Sequence, residues 1–520
     1  MKNKREAMMG KKYFPVVTLS LFIFLSSFSF PRHPQSLPSR IDALVNEYAA
    51  RHRFMGSVLV AEQGRIILSK GYGLADVENN VPNTPETKFM IGSITKQFTA
   101  MLVTQLAEKG KLRFDDTISD FLPDFPKDIG EKITVEMLLC HTSGLRLPED
   151  IEDYYCASQK EDYLREFVKQ MSVRGLHFKP GTNYRYSNAG YHILGLIIEK
   201  ATGKTYEEIL QEQILKPLGM SHTGCNKKGL VLKDGAVSCH VLPDQVVTWS
   251  DRHSFDPGII WFGSGFIYST VGDLFKFSQA LSSTRLLSKE YLDVFLKMRN
   301  PKSRFLIPFM PRELVKEFYG TFGNGFAGEI SVLEDPVTKE KQTLYWHDGT
   351  MYLFKSSHYH YSGREQIIVI LSNSSFLCEN DEMTLKIYQL LNNRPLEHIH
   401  LRLPLLHYLE EDIETHAGVK AAIDEYKRLK NDTINFIMPD EEDFLRIGRQ
   451  LVERGDLDGA LLVFQCILSE MQESGKAYDA LGDVYVLKGD KEKAIRSFSK
   501  SLELDPDNSH AQEMLKKLEK

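Results

Sequence analysis

The sequence has few cysteines and no excess of positive charge. It contains six cysteines and three tryptophans among 520 residues, and its formal net charge is −6. A chain of this length can build a large hydrophobic core, so disulfides are not needed to hold the fold. No CxxC pair and no zinc-type spacing occurs. These absences exclude a small disulfide scaffold and a metal-ligand cluster of the zinc-finger type. The lack of a basic excess gives no support to nucleic-acid binding.

Long apolar runs are also missing, except near the N-terminus. A basic start with Lys2, Lys4, Arg5, Lys11 and Lys12 precedes residues 14–30, a run of seventeen residues without charge. This order is typical of a secretory signal, and the run is short for a membrane-spanning helix, which needs about 20 residues. We predict that residues 1–32 are a signal peptide or, if uncleaved, an N-terminal anchor. The protein would then be exported, to the periplasm or outside the cell.

Export would place the cysteines in an oxidising compartment. Cys225 and Cys239 flank one polar loop and could pair there, although sequence alone does not fix connectivity. Cys466 lies within a helical apolar pattern and is expected to be a core thiol.

Residues 37–395 combine strand and helix patterns. Residues 57–61 and 65–68 predict a β-hairpin, and residues 93–109 show helical periodicity. Three further strands are predicted at 342–346, 351–356 and 366–372. A hairpin first, helices in the middle and strands last indicate an α+β domain whose antiparallel sheet is closed by distant parts of the chain.

A repeat follows this domain. The pattern Ile447-Gly448, Leu451, Gly455, Ala460 and Phe464 recurs 34 residues later as Leu481-Gly482, Tyr485, Gly489, Ala494 and Phe498. The period and positions resemble the tetratricopeptide repeat, a helix pair that stacks on its neighbours. We assign residues 441–520 to an all-α repeat module and residues 396–436 to a linker with a degenerate helix pair. The resemblance implies that a protein partner is possible at the repeats.

The first candidate catalytic motif is Ser93-Ile94-Thr95-Lys96. At a helix start, residues three apart share one face, so Lys96 could accept the proton that Ser93 must lose to act as a nucleophile.

A second candidate is Tyr186-Ser187-Asn188. A tyrosine near a lysine could be deprotonated, because a positive charge favours the phenolate. The alternative is a polar turn in which Asn188 caps the following helix.

A third candidate is His347-Asp348-Gly349, predicted to lie between two strands. A glycine at this position would let a substrate backbone approach the strand edge. His141, in contrast, is expected to be a structural hydrogen-bonder in a turn at a helix end.

In this order, the three motifs resemble those of the penicillin-recognising serine hydrolases, which include class C β-lactamases, D-alanyl-D-alanine carboxypeptidases and related esterases and D-aminopeptidases. Residues 138–145 are similar to the family's Leu-Leu-x-His-Thr-Ser-Gly-Leu segment, and residues 263–270 to its glycine-rich wall. The resemblance covers about residues 38–395. It implies a β-lactamase/transpeptidase-like antiparallel sheet flanked by helices.

The resemblance also implies roles for individual residues. Ser93 would be the nucleophile, and Lys96 and Tyr186 would share the role of base. The substrate would be bound by Asn188, His347, Asp348, Gly349 and Thr350, with the backbone N–H groups of Ser93 and Thr350 as the oxyanion hole. No metal or other cofactor is implied. The substrate would be a small molecule or peptide carrying an amide or ester.

The third motif departs from that of β-lactamases, which have a lysine and a hydroxyl residue there. An ionised Asp348 beside an uncharged His347 would repel a substrate carboxylate, which predicts a preference for neutral or amino-bearing substrates over penicillins. The alternative is that Asp348 bonds local backbone and faces away from the cleft.

The sequence disfavours two other classes of function. An α/β-hydrolase is disfavoured because no Gly-x-Ser-x-Gly motif occurs. In a non-enzymatic alternative, the hydrolase domain is a passive scaffold or sensor that recruits partners through the repeats. The intact motifs argue against that alternative.

Overall fold

A computed structural model describes most of the chain. The described residues are 36–50, 53–145, 175–227, 230–242, 245–248, 263–299, 321–326, 328–334, 341–351, 353–374, 379–396, 403–404, 418–431, 436–437, 441–453, 455–470, 473–506 and 508–518. The predicted signal or anchor segment, residues 1–32, lies outside them. Within the described segments, no helix is both long and apolar enough to span a bilayer.

The strands are β1 (Gly56–Glu62), β2 (Arg65–Tyr72), β3 (Leu74–Asp76), β4 (Val81–Pro82), β5 (Phe89–Met90), β6 (Gly224–Cys225), β7 (Cys239–Leu242), β8 (Gln245–Thr248), β9 (Ile267–Ser269), β10 (Thr321–Gly325), β11 (Gly328–Glu334), β12 (Lys341–Met351), β13 (Phe354–Tyr361), β14 (Gln366–Ser372), β15 (Leu403–Pro404) and β16 (Phe436–Ile437). The main sheet has seven strands in the order β10-β11-β12-β13-β14-β1-β2. Every neighbouring pair in it is antiparallel. The first hairpin therefore pairs with the last strand of the domain, as the sequence predicts.

The helices up to the end of that domain are α1 (Leu37–Ala50), α2 (Thr95–Glu108), α3 (Ile118–Phe121), α4 (Lys127–Gly130), α5 (Val135–Leu139), α6 (Asn188–Thr202), α7 (Tyr206–Leu210), α8 (Lys216–Leu218), α9 (Val271–Leu281), α10 (Lys289–Phe295) and α11 (Glu379–Leu391). The repeat region contains α12 (Gly418–Leu429), α13 (Glu441–Glu453), α14 (Leu457–Glu470), α15 (Gly475–Leu487), α16 (Lys491–Leu504) and α17 (Ser509–Leu518).

Two hydrophobic clusters cover the two faces of the main sheet. The larger one joins residues of β1 and β14, such as Leu59 and Val369, to Phe98 of helix α2 and to α6. The smaller one joins the opposite faces of the same strands, such as Val58, to helices α1 and α11. The strands at the centre of the sheet are buried on both sides, which explains why β14 is buried along its whole length and why its residues 367–371 are all apolar. The α+β prediction is confirmed.

The repeats form as predicted, because small residues let two helices approach. A Cβ added at Gly448 would lie 2.1 Å from the ring of Phe464, and one at Gly482 would lie 2.5 Å from the ring of Phe498. Of the predicted degenerate pair, the second helix is α12, while residues 405–417 lie outside the described residues. The segment assigned to a linker and a degenerate helix pair also contains strands, since β15 and β16 form a short parallel pair there.

The disulfide that Cys225 and Cys239 could have formed is absent. Both residues are free, buried thiols on strands β6 and β7. Each strand has its own partner: β6 pairs with β9 and β7 with β8. Cys466 is a buried core thiol of α14, as predicted.

Candidate active site

Ser93 lies in a 3-10 turn, Gly92–Ile94, between strand β5 and helix α2. Strand β9 fixes both ends of this turn. The Ile91 N–H donates to the Ile267 carbonyl over 3.0 Å, and the Ile267 N–H donates to Thr95 Oγ1 over 3.2 Å. The nucleophile candidate is thus held by backbone on a rigid element, a requirement for precise positioning of a reacting group.

Lys96 follows one turn later and is almost fully buried, with 1% of its surface exposed. Its Nζ lies 3.0 Å from Ser93 Oγ and donates to the Ser264 carbonyl over 2.9 Å. Burial lowers the pKa of Lys96 well below its ordinary value. The lowered pKa favours the neutral amine, whose lone pair can accept the Ser93 proton.

Tyr186 is the third member of a trio with Ser93 and Lys96. Its phenol is hydrogen-bonded to the Ser93 side chain, and Lys96 Nζ lies 4.8 Å from the centre of its ring. Burial raises the pKa of Tyr186 above its ordinary value, and the bond to Ser93 offsets this only in part. The expectation of a tyrosine phenolate is therefore wrong: the phenol keeps its proton at neutral pH. Within this trio, Lys96 is the group placed to take a proton and Tyr186 the group placed to give one.

His141 holds the Tyr186 loop in place. It follows helix α5 with a φ of 56°, and its ring stacks on that of Tyr186 with centroids 4.4 Å apart. Its Nδ1 accepts the Ser187 N–H over 3.0 Å, and its carbonyl accepts the Arg185 N–H over 3.0 Å. The prediction of a structural hydrogen-bonder at a helix end is confirmed.

The third motif lies inside a strand and not between two strands. Strand β12 runs without a break from Lys341 to Met351, and its pairing with β13 continues through His347, Asp348 and Gly349. Successive side chains of a strand point to opposite faces. His347 and Asp348 therefore cannot both face the same cleft, and this corrects the expectation that they act as a pair.

His347 lies on the Ser93 side of the sheet. Its ring centre is 6.3 Å from that of Tyr186. Its Nδ1 donates to the Asp348 carbonyl over 2.6 Å, since a carbonyl can only accept, and this leaves Nε2 as an acceptor. Burial and the nearby Lys96 lower the pKa of His347 to about 3. The side chain is a neutral imidazole and carries no charge for a substrate carboxylate.

Asp348 faces the other side of the sheet. Its Oδ2 accepts from the Tyr359 hydroxyl over 3.2 Å, and Tyr359 belongs to the cluster under helix α11. Burial and the neighbouring Asp381 carboxyl raise the pKa of Asp348 well above its ordinary value. The proposed contact between Asp348 and substrate is therefore wrong, and so is the charge repulsion built on it.

Gly349 was expected to lie against a substrate backbone, but it packs against the protein's own backbone at Ile91. A Cβ at this position would lie 2.0 Å from the Ile91 carbonyl oxygen and 2.4 Å from Ser356 Oγ. The missing side chain makes room for the backbone that leads into Ser93 and not for substrate. Thr350 lies at the same junction: a Cβ on Gly92 would be 2.7 Å from the Thr350 carbonyl oxygen. The residue before Ser93 thus abuts Thr350, whose own side chain is exposed.

Asn188 opens helix α6 but does not cap it. The cap is Ser187, whose hydroxyl accepts the Gly190 N–H over 3.2 Å. The Asn188 Oδ1 atom is buried without a hydrogen-bond partner among the described residues. At Lys96, the described backbone acceptor is the Ser264 carbonyl.

Sequence reasoning also missed Glu329. This buried carboxyl at the start of β11 raises the pKa of Tyr186. No motif marks Glu329, because its neighbours Asn324 and Tyr184 come from separate segments of the chain.

In the described part of the chain, one group of side chains lies close enough together to hold a metal ion: Asp479, Asp483 and His510. It lies on helices α15 and α17 of the repeats, where His510 Nδ1 is 3.0 Å from Asp479. No such group includes the Ser93 trio.

Comparison with known proteins decides the family. The family model described as Beta-lactamase matches residues 41–389. The chain belongs to the Beta-lactamase family. A second model, the tetratricopeptide repeat, matches residues 475–508. Both matches fall inside the segments that the sequence assigns to a hydrolase domain and to repeats.

Relatives and solved structures agree with this assignment. PbpX of Bacillus subtilis (strain 168), named as a penicillin-binding protein, is 29% identical over 349 residues, which cover 67% of this chain and 78% of PbpX. The octameric penicillin-binding protein homologue from Pyrococcus abyssi has a TM-score of 0.58 and 26% identity, over 72% of this chain and 81% of that one. The D-amino acid amidase from Ochrobactrum anthropi has a TM-score of 0.55 at 24% identity, over 69% and 99%, a likeness of fold alone.

Proposed function

We propose that this Beta-lactamase family member is a serine hydrolase that cleaves an ester or amide through an acyl-enzyme on Ser93. The observation that carries the proposal is the trio itself. Ser93 Oγ is hydrogen-bonded to a buried lysine with a strongly lowered pKa and to a tyrosine that keeps its proton. A nucleophile, a base and an acid in contact are what acyl transfer requires.

The steps follow from these contacts. Lys96 Nζ takes the hydroxyl proton while Ser93 Oγ bonds to the substrate carbonyl carbon. When the tetrahedral adduct collapses, the ester C–O or amide C–N bond breaks, and the leaving group takes the proton of the Tyr186 hydroxyl. Lys96 returns a proton to Tyr186. In the second half, Lys96 Nζ takes a proton from the water that attacks the acyl carbon. The bond between that carbon and Ser93 Oγ then breaks, the acid leaves, and Lys96 returns the proton to Ser93 Oγ. The N–H groups of Ser93 and Thr350 would stabilise the oxyanion.

We further propose that β-lactams are poor substrates. At the third motif, His347 is neutral and Asp348 is turned away, so this motif offers no cation for the carboxylate that penicillins carry. Neutral esters and D-amino-acid amides do not need such a cation. The fold shared with a D-amino acid amidase is compatible with this substrate class.

A substrate comparison tests the proposal. We expect kcat/KM to be at least about tenfold higher for p-nitrophenyl acetate or D-alanine p-nitroanilide than for nitrocefin. Asp348→Thr should leave the ranking unchanged, because its side chain lies behind the sheet. Nitrocefin as the best substrate would contradict the specificity, and no hydrolysis of any of the three would favour the passive scaffold.

Export and partner binding are proposals of the same kind. The basic and apolar order of residues 1–32 supports export, which fractionation of cells producing the full chain would test. The stacked helix pairs support binding of a protein partner. Co-purification of a protein with the full chain, but not with a chain ending at Arg394, would test that role.

A further inference from the structure

The carbonyl that accepts a hydrogen bond from Lys96 lies next to one that a second side chain of helix α2 holds. Lys96 Nζ donates to the Ser264 carbonyl over 2.9 Å. Thr99, three residues further along the same face of the helix, donates its hydroxyl proton to the carbonyl of the preceding residue, Gly263, over 2.6 Å. The Thr95 carbonyl, one turn back in the helix, is farther from the Thr99 hydroxyl at 3.4 Å. The proton of Thr99 is therefore directed to Gly263.

Tyr206 supports Thr99 through a second hydrogen bond. The two hydroxyl oxygens are 2.6 Å apart, and both residues are buried. Because the Thr99 proton goes to a carbonyl, which can only accept, the Tyr206 hydroxyl is the donor in this contact. Burial raises the pKa of Tyr206, so the phenol keeps the proton that it donates. Tyr206 is itself fixed at the start of α7, where its N–H donates to Glu199 Oε1 over 2.9 Å.

The Gly263 backbone is also packed against helix α6. Its φ is 73°, and a Cβ at this position would lie 2.5 Å from the Tyr191 carbonyl oxygen. Gly263 is therefore in contact with both α6 and Thr99 of α2, and Ser264 follows directly in the chain. A buried chain of two hydrogen bonds, from Tyr206 to Thr99 and from Thr99 to the Gly263 carbonyl, fixes the backbone that leads to the Ser264 carbonyl.

The position of the Ser264 carbonyl determines where the amine of Lys96 points. A neutral amine has two N–H bonds and one lone pair, so fixing one N–H bond restricts the direction of the lone pair. With one N–H of Lys96 bonded to Ser264, the lone pair is left to accept the proton of Ser93, whose Oγ is 3.0 Å away. The same carbonyl stabilises the ammonium that forms once the proton has been transferred. A displaced carbonyl would turn the amine away from Ser93 and weaken it as a base.

We propose that Thr99 and Tyr206 are positioning residues that hold the backbone at Gly263 and Ser264 and thereby keep the Lys96 amine directed at Ser93. The proposal rests on the hydrolase function above and deepens it by naming the residues that support its base. Neither residue belongs to the three sequence motifs, because both act through backbone carbonyls and not on the substrate.

Isosteric substitution of Thr99 tests the proposal. Thr99→Val keeps the shape of the side chain and removes its hydroxyl. It should lower kcat for p-nitrophenyl acetate about tenfold and change KM less than about twofold, because the base is displaced while the contacts to substrate remain. Thr99→Ser retains the hydroxyl and should keep kcat within about threefold of the wild type. Equal losses in Thr99→Val and Thr99→Ser would overturn the proposal, since they would report packing alone.

A second buried threonine of α2 provides the matched control. The hydroxyl of Thr104 donates to the Ala100 carbonyl of its own helix over 2.8 Å. Thr104→Val therefore removes a buried hydroxyl from the same helix without releasing residues 263–264, and kcat should not change.

A direct titration of Lys96 separates this proposal from the hydrolase function. With isotopically labelled lysine, NMR follows the protonation of Lys96, whose signals are assigned by their loss in Lys96→Met. The pKa of Lys96 should be at least about half a pH unit lower in Thr99→Val than in the wild type, because a hydrogen bond to the ammonium is weakened. Thr99→Ser and Thr104→Val should leave it unchanged. The other titratable groups near Lys96 stay intact in these variants: Tyr186, Tyr191, His141 and His347.

This titration gives a result whether or not the chain hydrolyses a substrate. A lowered pKa of Lys96 in Thr99→Val would support the positioning role even if no ester or amide is cleaved. An unchanged pKa would overturn the role even in an active enzyme.

Tyr206→Phe tests the second hydrogen bond and serves if Thr99→Val does not fold. Thr99 keeps its own bond in this variant, so we expect a smaller loss of kcat, about threefold, and a shift of the Lys96 titration in the same direction. Tyr291→Phe is the matched control and should keep kcat, since the Tyr291 hydroxyl donates to a different part of α2, the Ala107 carbonyl, over 3.4 Å. Adding Tyr206→Phe to Thr99→Val should cause no further loss, because the phenol acts through Thr99. Losses that multiply, or full activity with an unshifted titration in Tyr206→Phe, would overturn the proposal.

Discussion

Replacing Lys96 by methionine should lower kcat for a p-nitrophenyl ester by about 10²–10⁴, the range for a general acid–base group. Methionine keeps most of the volume of this buried side chain, so the loss would report the missing amine and not a cavity. Tyr186→Phe should cause a loss in the same range, because the phenol is the group placed to protonate the leaving group. Steady-state kinetics checks both values, with Lys200→Ala on the exposed face of α6 as the control.

The combined variant shows whether the two residues act as one unit. Members of a catalytic unit are non-additive when removed. We expect Lys96→Met with Tyr186→Phe to be little slower than the slower single variant. Losses that multiply would mean that Lys96 and Tyr186 act independently. In the wild type, kcat/KM should rise with pH as Lys96 loses its proton, and this rise should disappear in Lys96→Met.

The substitution Gly349→Ala should impair both stability and activity. Its methyl group would lie 2.0 Å from the Ile91 carbonyl oxygen and would crowd the bond that Ser356 Oγ donates to that oxygen over 2.8 Å. Overpacking of a tight site costs about 1–3 kcal/mol. Because Ile91 leads into the Ser93 turn, a shift of the order of 1 Å should lower kcat/KM about 10²-fold.

A glycine with room around it provides the control. The nearest atom to a Cβ on Gly272 of α9 is a side-chain oxygen 4.0 Å away, and alanine is favoured over glycine in a helix. Gly272→Ala should therefore keep stability and activity, as judged by thermal unfolding and ester hydrolysis. If Gly349→Ala behaved in the same way, β12 would not be the element that positions Ser93.

The sequence predicted those features that depend on local pattern. The hairpin of β1 and β2 follows from alternation and a Gln63-Gly64 turn, where both residues have positive φ. The contact of Ser93 with Lys96 follows from a three-residue spacing at a helix start. The repeat contacts of Gly448 and Gly482 follow from a period of 34 residues.

The predictions from sequence were wrong where strand pairing decides the orientation of a side chain or burial decides its protonation state. Asp348-Gly349 carries a turn signal, but pairing with β13 keeps both residues in one long strand and sends Asp348 to the far face. The protonation state of Tyr186 depends on how deeply the phenol is buried. No local pattern reveals that depth.

The site also contains contacts between residues far apart in sequence. The Ser264 carbonyl accepts a hydrogen bond from Lys96 across a separation of 168 residues. Glu329 and Tyr184 are hydrogen-bonded across a similar separation. Such pairs become visible only when the sheet and the helices are assembled. The motifs therefore identified the reacting groups, while the residues that support them became visible only in the fold.

Intact-protein and peptide mass spectrometry after treatment with a fluorophosphonate tests the central claim most directly. Since Ser93 is the nucleophile in this account, we predict one covalent adduct per chain, located on the peptide that contains Ser93. The adduct should be absent in Ser93→Ala and form much more slowly in Lys96→Met. An unlabelled wild-type chain, or an adduct that persists in Ser93→Ala, would contradict the assignment of Ser93 as the nucleophile.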